Sequence, residues 1–185
     1  AVLLSPEKIT LKNIPEIRDI LRMIELLKGL GVKVEKLSKG EYTFQSDEIN
    51  LDYFHTEEFR TKGAAIRGSI MIIGPLLARF GIGYIPSPGG DKIGRRRLDT
   101  HFIGFENLGA KFIYNNDTGF YKVEAKNLKG NYMLLEEASV TGTANILMAA
   151  SMAEGTTTIY NAACEPYLQQ LSRMINSMGG KISGI

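Results

Sequence analysis

The sequence predicts an α/β protein built from three βαβαββ-like units around an approximate threefold axis, with buried helices wrapped by sheets. Three observations lead to this prediction: a motif that occurs three times, a spacing shared by two of its copies, and two helices that are apolar on nearly every face. With 185 residues, 44% of them hydrophobic, the chain is long enough to bury the core of one domain.

The repeated motif reads apolar-Gly-x-Lys-apolar and occurs at residues 30–34, 108–112 and 178–182. The glycine supplies the left-handed conformation that stops a helix, and the alternation of apolar and polar residues after it has the period of a half-buried strand. Each copy therefore predicts the end of a helix and the start of a strand.

The repeat extends upstream of the motif. Asn13 lies 18 residues before Gly31, and Asn161 lies 18 residues before Gly179, each at the end of a strand-like run. This shared spacing predicts that the first and third units begin with the same strand, loop and helix.

The middle unit departs from that spacing. Its equivalent of the two asparagines is Ser87, yet Gly109 follows Ser87 by 22 residues. Four additional residues therefore lie in the loop PGGDKIGRRR, residues 88–97. An insertion into one copy of a repeat is better explained by function than by folding.

Two stretches, Ile66–Phe80 and Gly142–Glu154, are apolar on nearly every face of a helix. This pattern is typical of helices enclosed on all sides. Each is bracketed by a pair of glycines 13 residues apart, Gly68 with Gly81 and Gly142 with Gly155.

The first unit is shorter than the others. Before its first strand, Ile9–Leu11, only residues 1–4 remain of a helix that has three or more turns in the other units, and there is no initiator methionine. We expect residues 1–185 to form a single domain, truncated at its first repeat, of a longer polypeptide.

Charge and composition exclude several classes of protein. With 22 Lys and Arg against 20 Asp and Glu, the net charge of +2 gives no global field for nucleic acid or acidic membranes. The single cysteine, Cys164, cannot form an internal disulfide, and two histidines do not suggest a metal site. The most apolar run, Ile70–Ala78, is far shorter than the roughly 20 residues that span a bilayer. A cytoplasmic protein is expected.

Several motifs occur in register along nearly the whole chain: NIP, TKGAAIRGS, GPLLARFG, SPGGDKIGRRRLDTH, GFENLGAK, SVTGT, ILMAASMAEGTT and NAACEP. Together they resemble the UDP-N-acetylglucosamine enolpyruvyl transferases, which add the enolpyruvyl group of phosphoenolpyruvate to the sugar in the first committed step of peptidoglycan synthesis. The resemblance implies an inside-out α/β barrel with its helices inside, two such barrels in the full enzyme, and no metal or bound redox cofactor.

Asp91 is the catalytic residue that the resemblance implies. It stands where the family normally has a cysteine, in a loop that closes over the substrates. In the family, the residue at this position donates a proton to C3 of phosphoenolpyruvate. The family's cysteine is also the residue that fosfomycin alkylates, so an aspartate predicts fosfomycin resistance. From its local sequence alone, Pro88–Asp91 is more typical of a solvent-exposed turn, and the four-residue insertion and the motif match favour the catalytic interpretation.

The loop is also basic, with Lys92 and Arg95 beside Arg96 and Arg97. By resemblance Arg96 contacts the substrates, where a planar guanidinium suits phosphate and carboxylate oxygens. Arg97 replaces a family proline. A solvated basic loop is the alternative, and nucleic-acid contact is disfavoured because no aromatic residue is interleaved.

After the loop, Leu98, Asp99 and Thr100 align with positions that line the UDP-sugar site. Asp99 is also well suited to be the N-cap of the following helix. His101 is expected to be a packed residue and only a weak candidate for a supporting role.

The remaining candidates lie on two other segments. Arg67, near the start of a buried helix, requires an anionic partner, either a ligand or an internal carboxylate. Ser139, Val140 and Thr141 form a helix start whose hydroxyls and N–H groups suit either N-capping or a nucleotide phosphate. By resemblance Glu137 and Ala138 belong to the same substrate site, and Glu137 stands where some family members carry lysine.

Other parts of the site are expected outside this chain. In the family, a Lys-Asn pair that contacts phosphoenolpyruvate precedes the first unit, and the second barrel supplies a general-base aspartate and a further arginine. Two other interpretations remain open: the enolpyruvyl transferase that acts on shikimate 3-phosphate, and a catalytically silent anion-binding scaffold.

Overall fold

The computed structural model describes residues 1–87 and 98–184. Within these ranges the eight strands are β1 (Ile9–Leu11), β2 (Lys33–Ser38), β3 (Glu41–Gln45), β4 (Ile82–Pro86), β5 (Lys111–Asn115), β6 (Phe120–Glu124), β7 (Tyr132–Leu134) and β8 (Thr158–Tyr160). The six α-helices there are α1 (Arg18–Gly29), α2 (Glu57–Ala64), α3 (Ile73–Phe80), α4 (Asp99–Asn107), α5 (Val140–Ala150) and α6 (Pro166–Ser177). Short 3-10 helices span Val2–Leu4, Leu51–His55 and Arg67–Ile72.

The strands form three sheets. The first two have the orders β1-β3-β2 and β4-β6-β5, and both are antiparallel throughout. In the third, β7 pairs in parallel with β8. The first two sheets share one topology because β1 and β4, which precede helices α1 and α4, each pair with the second strand of the following hairpin.

The backbone confirms the repeat that the sequence predicts. Gly31, Gly109 and Gly179 have φ values of 94°, 92° and 100°, so each motif glycine is left-handed where a helix ends. Asn13 and Asn161, with φ of 59° and 58°, are the non-glycine residues with positive φ in the described ranges. Asparagine tolerates this conformation better than most residues, which explains its choice at both positions.

The enclosed helices are also confirmed, with two corrections. The second helix is α5, which ends at Ala150 and does not extend to Glu154. Residues 66–80 do not form a single helix, because a 3-10 segment ends at Ile72 and α3 begins at Ile73. Pro75 lacks the N–H that an α-helix would direct to residue 71, so it is tolerated only in the first turn. The buried faces of α3 and α5 pack at the centre of the chain, and α5 is buried over most of its length.

The strand predicted to open at Lys181 is absent, because residues 181–184 have no regular structure. No strand in the described ranges lies beside this segment to pair with it. The Asn176 side chain takes that role at one residue: its Nδ2 donates to Ile182 O at 2.8 Å, and its Oδ1 accepts from Ile182 N at 2.7 Å.

In the described ranges, no single helix is long and apolar enough to cross a membrane. Glu57–Ala64 and Arg67–Phe80 have that length and composition only when taken together, and they are bent by 115° relative to each other.

Candidate functional site

The predicted site residues fall into four groups by position. Asp91, Arg96 and Arg97 lie outside the described residues, as does the rest of the basic loop. Leu98, Asp99 and Thr100 are at the start of α4, and Glu137 to Val140 are at the start of α5. Arg67 is the first residue of the 3-10 segment that leads into α3.

The starts of α4 and α5 lie side by side. Thr100 Oγ1 donates to Glu137 Oε1 at 3.1 Å. A cavity of about 140 Å³ opens at this contact and is lined by Asp99, Thr100, Ile103, Leu134, Leu135, Glu136 and Glu137. The structure therefore brings together Asp99, Thr100 and Glu137, which the sequence analysis assigned to one site although they are up to 38 positions apart in the chain.

The cavity has an acidic rim. Ionised carboxylates can only accept hydrogen bonds, so Asp99, Glu136 and Glu137 favour the N–H and O–H groups of a ligand over its anionic groups at this point. A phosphate bound here would therefore lie away from these side chains, towards the start of α5.

Ser139 is the N-cap of α5, as predicted. Its Oγ accepts from Gly142 N at 3.2 Å, and its carbonyl accepts from Thr143 N at 2.8 Å. The N-cap prediction for Asp99 is wrong by one position, since α4 begins at Asp99 itself and its N-cap residue is Leu98. A carboxylate in the first turn still suits the positive end of the helix dipole.

A buried polar network lies behind this surface. The His101 side chain, in a residue that is 2% exposed, places Nδ1 3.0 Å from Asn145 Nδ2 and Nε2 3.2 Å from Thr141 Oγ1. Burial, and secondarily the positive charge of Arg67, lower the pKa of His101 from 6.5 to about 4. His101 is therefore neutral at physiological pH, and Arg67 is close enough to affect it.

Asn145 is the residue of this network that the sequence analysis missed. It is fully buried on α5, donates from Nδ2 to Ile70 O at 2.9 Å and accepts from Gly74 N at 2.8 Å. The available signal was a lone amide in the apolar run NILMAA, because a polar side chain on a helix predicted to be enclosed must find buried partners.

Arg67 is half-buried at the beginning of its 3-10 segment. Its predicted anionic partner, a ligand anion or an internal carboxylate, stays a prediction. In the described ranges no group of three His, Cys, Asp or Glu side chains could hold a metal ion. A larger cavity of about 580 Å³ lies between α5 and α6, and none of the predicted site residues lines it.

Comparison with known proteins adds independent findings. The family model for EPSP synthase (3-phosphoshikimate 1-carboxyvinyltransferase) matches residues 1–185. The chain is 58% identical over its whole length to a UDP-N-acetylglucosamine 1-carboxyvinyltransferase of Bacteroides thetaiotaomicron, and 55% identical to the protein of that name from Porphyromonas gingivalis. It covers 43% of each relative, so it spans less than half of their length.

Solved structures show the fold. The enolpyruvyl transferase NikO from Streptomyces tendae superposes with a TM-score of 0.79 at 14% identity, covering 98% of this chain and 42% of that one. EPSP synthase from Acinetobacter baumannii gives 0.69 at 18% identity, covering 99% and 42%. The predicted inside-out α/β barrel is therefore confirmed as the fold class. The full-length family match, the identity to named relatives and the shared fold together show that this chain belongs to the EPSP synthase family of enolpyruvyl transferases.

Proposed function

We propose that the protein containing this chain transfers the enolpyruvyl group of phosphoenolpyruvate to the 3′-hydroxyl of UDP-N-acetylglucosamine, the first committed step of peptidoglycan synthesis. The observation that carries the proposal is the identity of 55–58% over all 185 residues to proteins named for this activity. In this proposal residues 1–185 form one barrel domain of a cytoplasmic enzyme, and the second barrel is a further part of the same polypeptide.

The chemistry follows from the roles that the resemblance implies. Asp91, as a carboxylic acid, gives its proton to C3 of phosphoenolpyruvate while the sugar oxygen forms a bond to C2. A base from the second barrel removes the hydroxyl proton. The tetrahedral intermediate then loses a proton from C3 and inorganic phosphate from C2, which restores the double bond. No metal or redox cofactor takes part.

Asp91 must hold its proton near neutral pH to act in this way. An unperturbed aspartate has a pKa of about 3.9, which is roughly 3 units too low. Neighbouring arginines lower the pKa further, whereas the negative charges of bound phosphoenolpyruvate and the exclusion of water raise it. Asp91 therefore becomes a competent acid only when the substrates are bound.

The geometry at α4 and α5 supports a nucleotide-sugar site. The cavity beside Asp99, Thr100 and Glu137 offers acceptors for donor groups of the nucleotide or sugar. The α5 start at Val140 offers the N–H groups of its first turn to a phosphate, and the proposal places Ala138 and Ser139 beside them. In the proposal, Arg67, Arg96 and Arg97 supply cations to the substrate anions, and Leu98 gives an apolar wall.

Two alternatives are kept. The family model's own name points to 3-phosphoshikimate as acceptor, and a silent anion-binding scaffold remains the alternative outside enzymes. The whole protein should release phosphate from phosphoenolpyruvate with UDP-N-acetylglucosamine and not with shikimate 3-phosphate. Turnover with shikimate 3-phosphate would favour the first alternative, and binding of the sugar nucleotide without turnover would favour the second.

The role of Asp91 is tested on the same whole protein. Asp91→Asn should be nearly inactive, because an amide of similar shape cannot deliver the proton. Asp91→Cys should remain active and become sensitive to fosfomycin, since a thiolate opens an epoxide far faster than a carboxylate does. The measurements are turnover and the mass of the loop peptide after treatment. Rapid alkylation of the unmodified protein at Asp91, or a largely active Asn variant, would show that the assignment is wrong.

A further inference from the structure

The orientation of the Asn145 amide is fixed by two backbone groups. The Gly74 N–H can only donate, so the atom that it contacts at 2.8 Å must be Oδ1. The Ile70 carbonyl can only accept, so the atom 2.9 Å from it must be Nδ2. Ile70 lies on the 3-10 segment that leads into α3, and Gly74 lies in the first turn of α3. Neither backbone group can exchange its role.

This orientation also fixes the tautomer of His101. One hydrogen of Asn145 Nδ2 goes to Ile70, and the second points at His101 Nδ1, 3.0 Å away. Nδ1 must therefore be the unprotonated, accepting nitrogen. The ring proton is on Nε2, which donates to Thr141 Oγ1 at 3.2 Å.

The Thr141 hydroxyl is therefore the acceptor in its hydrogen bond with His101. Its own hydrogen has no acceptor among residues 1–87 and 98–184, and the Thr141 residue is exposed at the second position of α5. A hydroxyl that accepts one hydrogen bond becomes a better donor in the next.

We infer that His101 and Asn145 are positioning residues that hold the Thr141 hydroxyl as an outward hydrogen-bond donor to a phosphate oxygen of the nucleotide substrate. The inference rests on the proposed function for the identity of the ligand. Thr141 directly follows Ser139 and Val140 in the helix start for which the sequence already suggests a nucleotide phosphate, so its hydroxyl lies at the end of α5 where that phosphate is proposed.

The charge state of the ring agrees with this geometry. A protonated imidazole would aim an N–H at the Asn145 amide hydrogens, whereas the low pKa of His101 keeps Nδ1 unprotonated. The positive charge of Arg67 acts in the same direction, secondarily to burial.

The first test is the tautomer itself, measured in the whole protein by nitrogen-detected NMR of the imidazole rings near pH 7. The His101 signals, identified by their loss in His101→Phe, should show a protonated Nε2 and a bare Nδ1. Adding UDP should shift the Nε2–H signal in the unmodified protein and leave it unchanged in Thr141→Val. A protonated Nδ1 would overturn the inference.

The second test separates binding from chemistry. Thr141→Val should raise the KM for UDP-N-acetylglucosamine about tenfold, the loss expected for one hydrogen bond to a charged group, with kcat and the KM for phosphoenolpyruvate unchanged. Thr141→Ser should restore the original KM, and Thr10→Val, on the exposed surface of β1, serves as the matched control. An unchanged KM in Thr141→Val would overturn the inference while the proposed function stands.

The last test asks whether His101 acts through Thr141. His101→Phe should weaken sugar-nucleotide binding in the unmodified background and have no additional effect in the Thr141→Val background, as a double-mutant cycle would reveal. Calorimetric titration with UDP gives the same comparison without turnover. If the whole protein binds UDP but has no transferase activity, the proposed function fails and a weaker affinity in Thr141→Val still supports this inference. Equal affinities, or no UDP binding by the unmodified protein, would refute it.

Discussion

At the scale of single residues, Gly74 shows how closely the central helices approach each other. A Cβ at this position would lie 2.4 Å from both the backbone oxygen and the Oδ1 of Asn145. The first of these atoms is the backbone oxygen of a buried helix, so moving a flexible side chain cannot relieve the clash.

Gly74→Ala should therefore lower the free energy of unfolding by about 3 kcal/mol, through separation of α3 from α5 and loss of the Asn145 contacts. Gly68→Ala is the matched control, because its Cβ would lie 3.6 Å from Met23 Cε in ordinary contact. Urea unfolding of both variants is the measurement. Equal stability of the two variants would contradict the close approach of α3 and α5.

Prediction from sequence succeeded at residues whose role is local. The left-handed motif glycines and the Ser139 cap depend on a few neighbouring residues, and the structure has them as predicted. Asn145 was missed because its partners, Ile70 and Gly74, are more than 70 residues away. No local pattern identifies such partners, and only the general rule that buried amides are hydrogen-bonded pointed to them.

At the scale of elements, Glu16 joins the start of α1 to the β2–β3 hairpin. Its Oε1 lies 2.7 Å from Lys36 Nζ and accepts from Tyr42 Oη at 2.9 Å and Gly40 N at 3.1 Å. The Lys36 hydrogen bond, then those of Gly40 and Tyr42, lower the pKa of Glu16 from 4.5 to about 2. This carboxylate is therefore bound more strongly in the folded state when it is ionised.

The sign of the resulting pH dependence follows from the lowered pKa. The stabilisation is fully present above pH 4.5 and is lost as the pH falls towards 2. Glu16→Gln should be less stable than the unmodified protein near pH 7, and the difference should shrink across that acidic range. Urea unfolding at a series of pH values is the measurement.

The matched control is Glu35→Gln on β2, whose partner Lys8 is 3.4 Å away with both side chains exposed. Such surface pairs contribute little to stability, so this variant should change little at any pH. A difference between Glu16→Gln and the unmodified protein that stays constant down to pH 2 would argue against the ionised Glu16 as its source.

The errors in predicted elements also have physical causes. The apolar pattern identified residues 66–80 as enclosed, but pattern alone does not distinguish a continuous helix from a 3-10 segment followed by α3, and the effect of Pro75 had to be weighed separately. At Lys181 the alternation is typical of a strand, yet a strand also requires a neighbour that pairs with its backbone. Periodicity reports which side of a segment is buried and does not report pairing.

At the scale of the whole molecule, the repeated motif made the fold class predictable from the sequence. The proposed site was less predictable, because it depends on how the helices pack together. Each unit carries its own stop signals, so the ends of its helices could be inferred locally. The proposed site combines the starts of α4 and α5 with the segment before α3, and the proposal adds residues of a second barrel. The sequence assigned these residues to one site only through family resemblance, since their proximity is a property of the assembled helices.

This assembly leads to a prediction for the isolated chain. Residues 1–185, which correspond to 43% of the named relatives, should have no measurable transferase activity, because the proposed general base and part of the phosphoenolpyruvate site lie in the remainder of the protein. The measurement is phosphate release with both substrates, with the whole protein as the positive control and NMR to establish that the isolated chain is folded. Phosphate release by the chain alone, abolished by Asp91→Ala, would mean that one barrel is sufficient for the chemistry and that the proposed division of the site between two barrels is wrong.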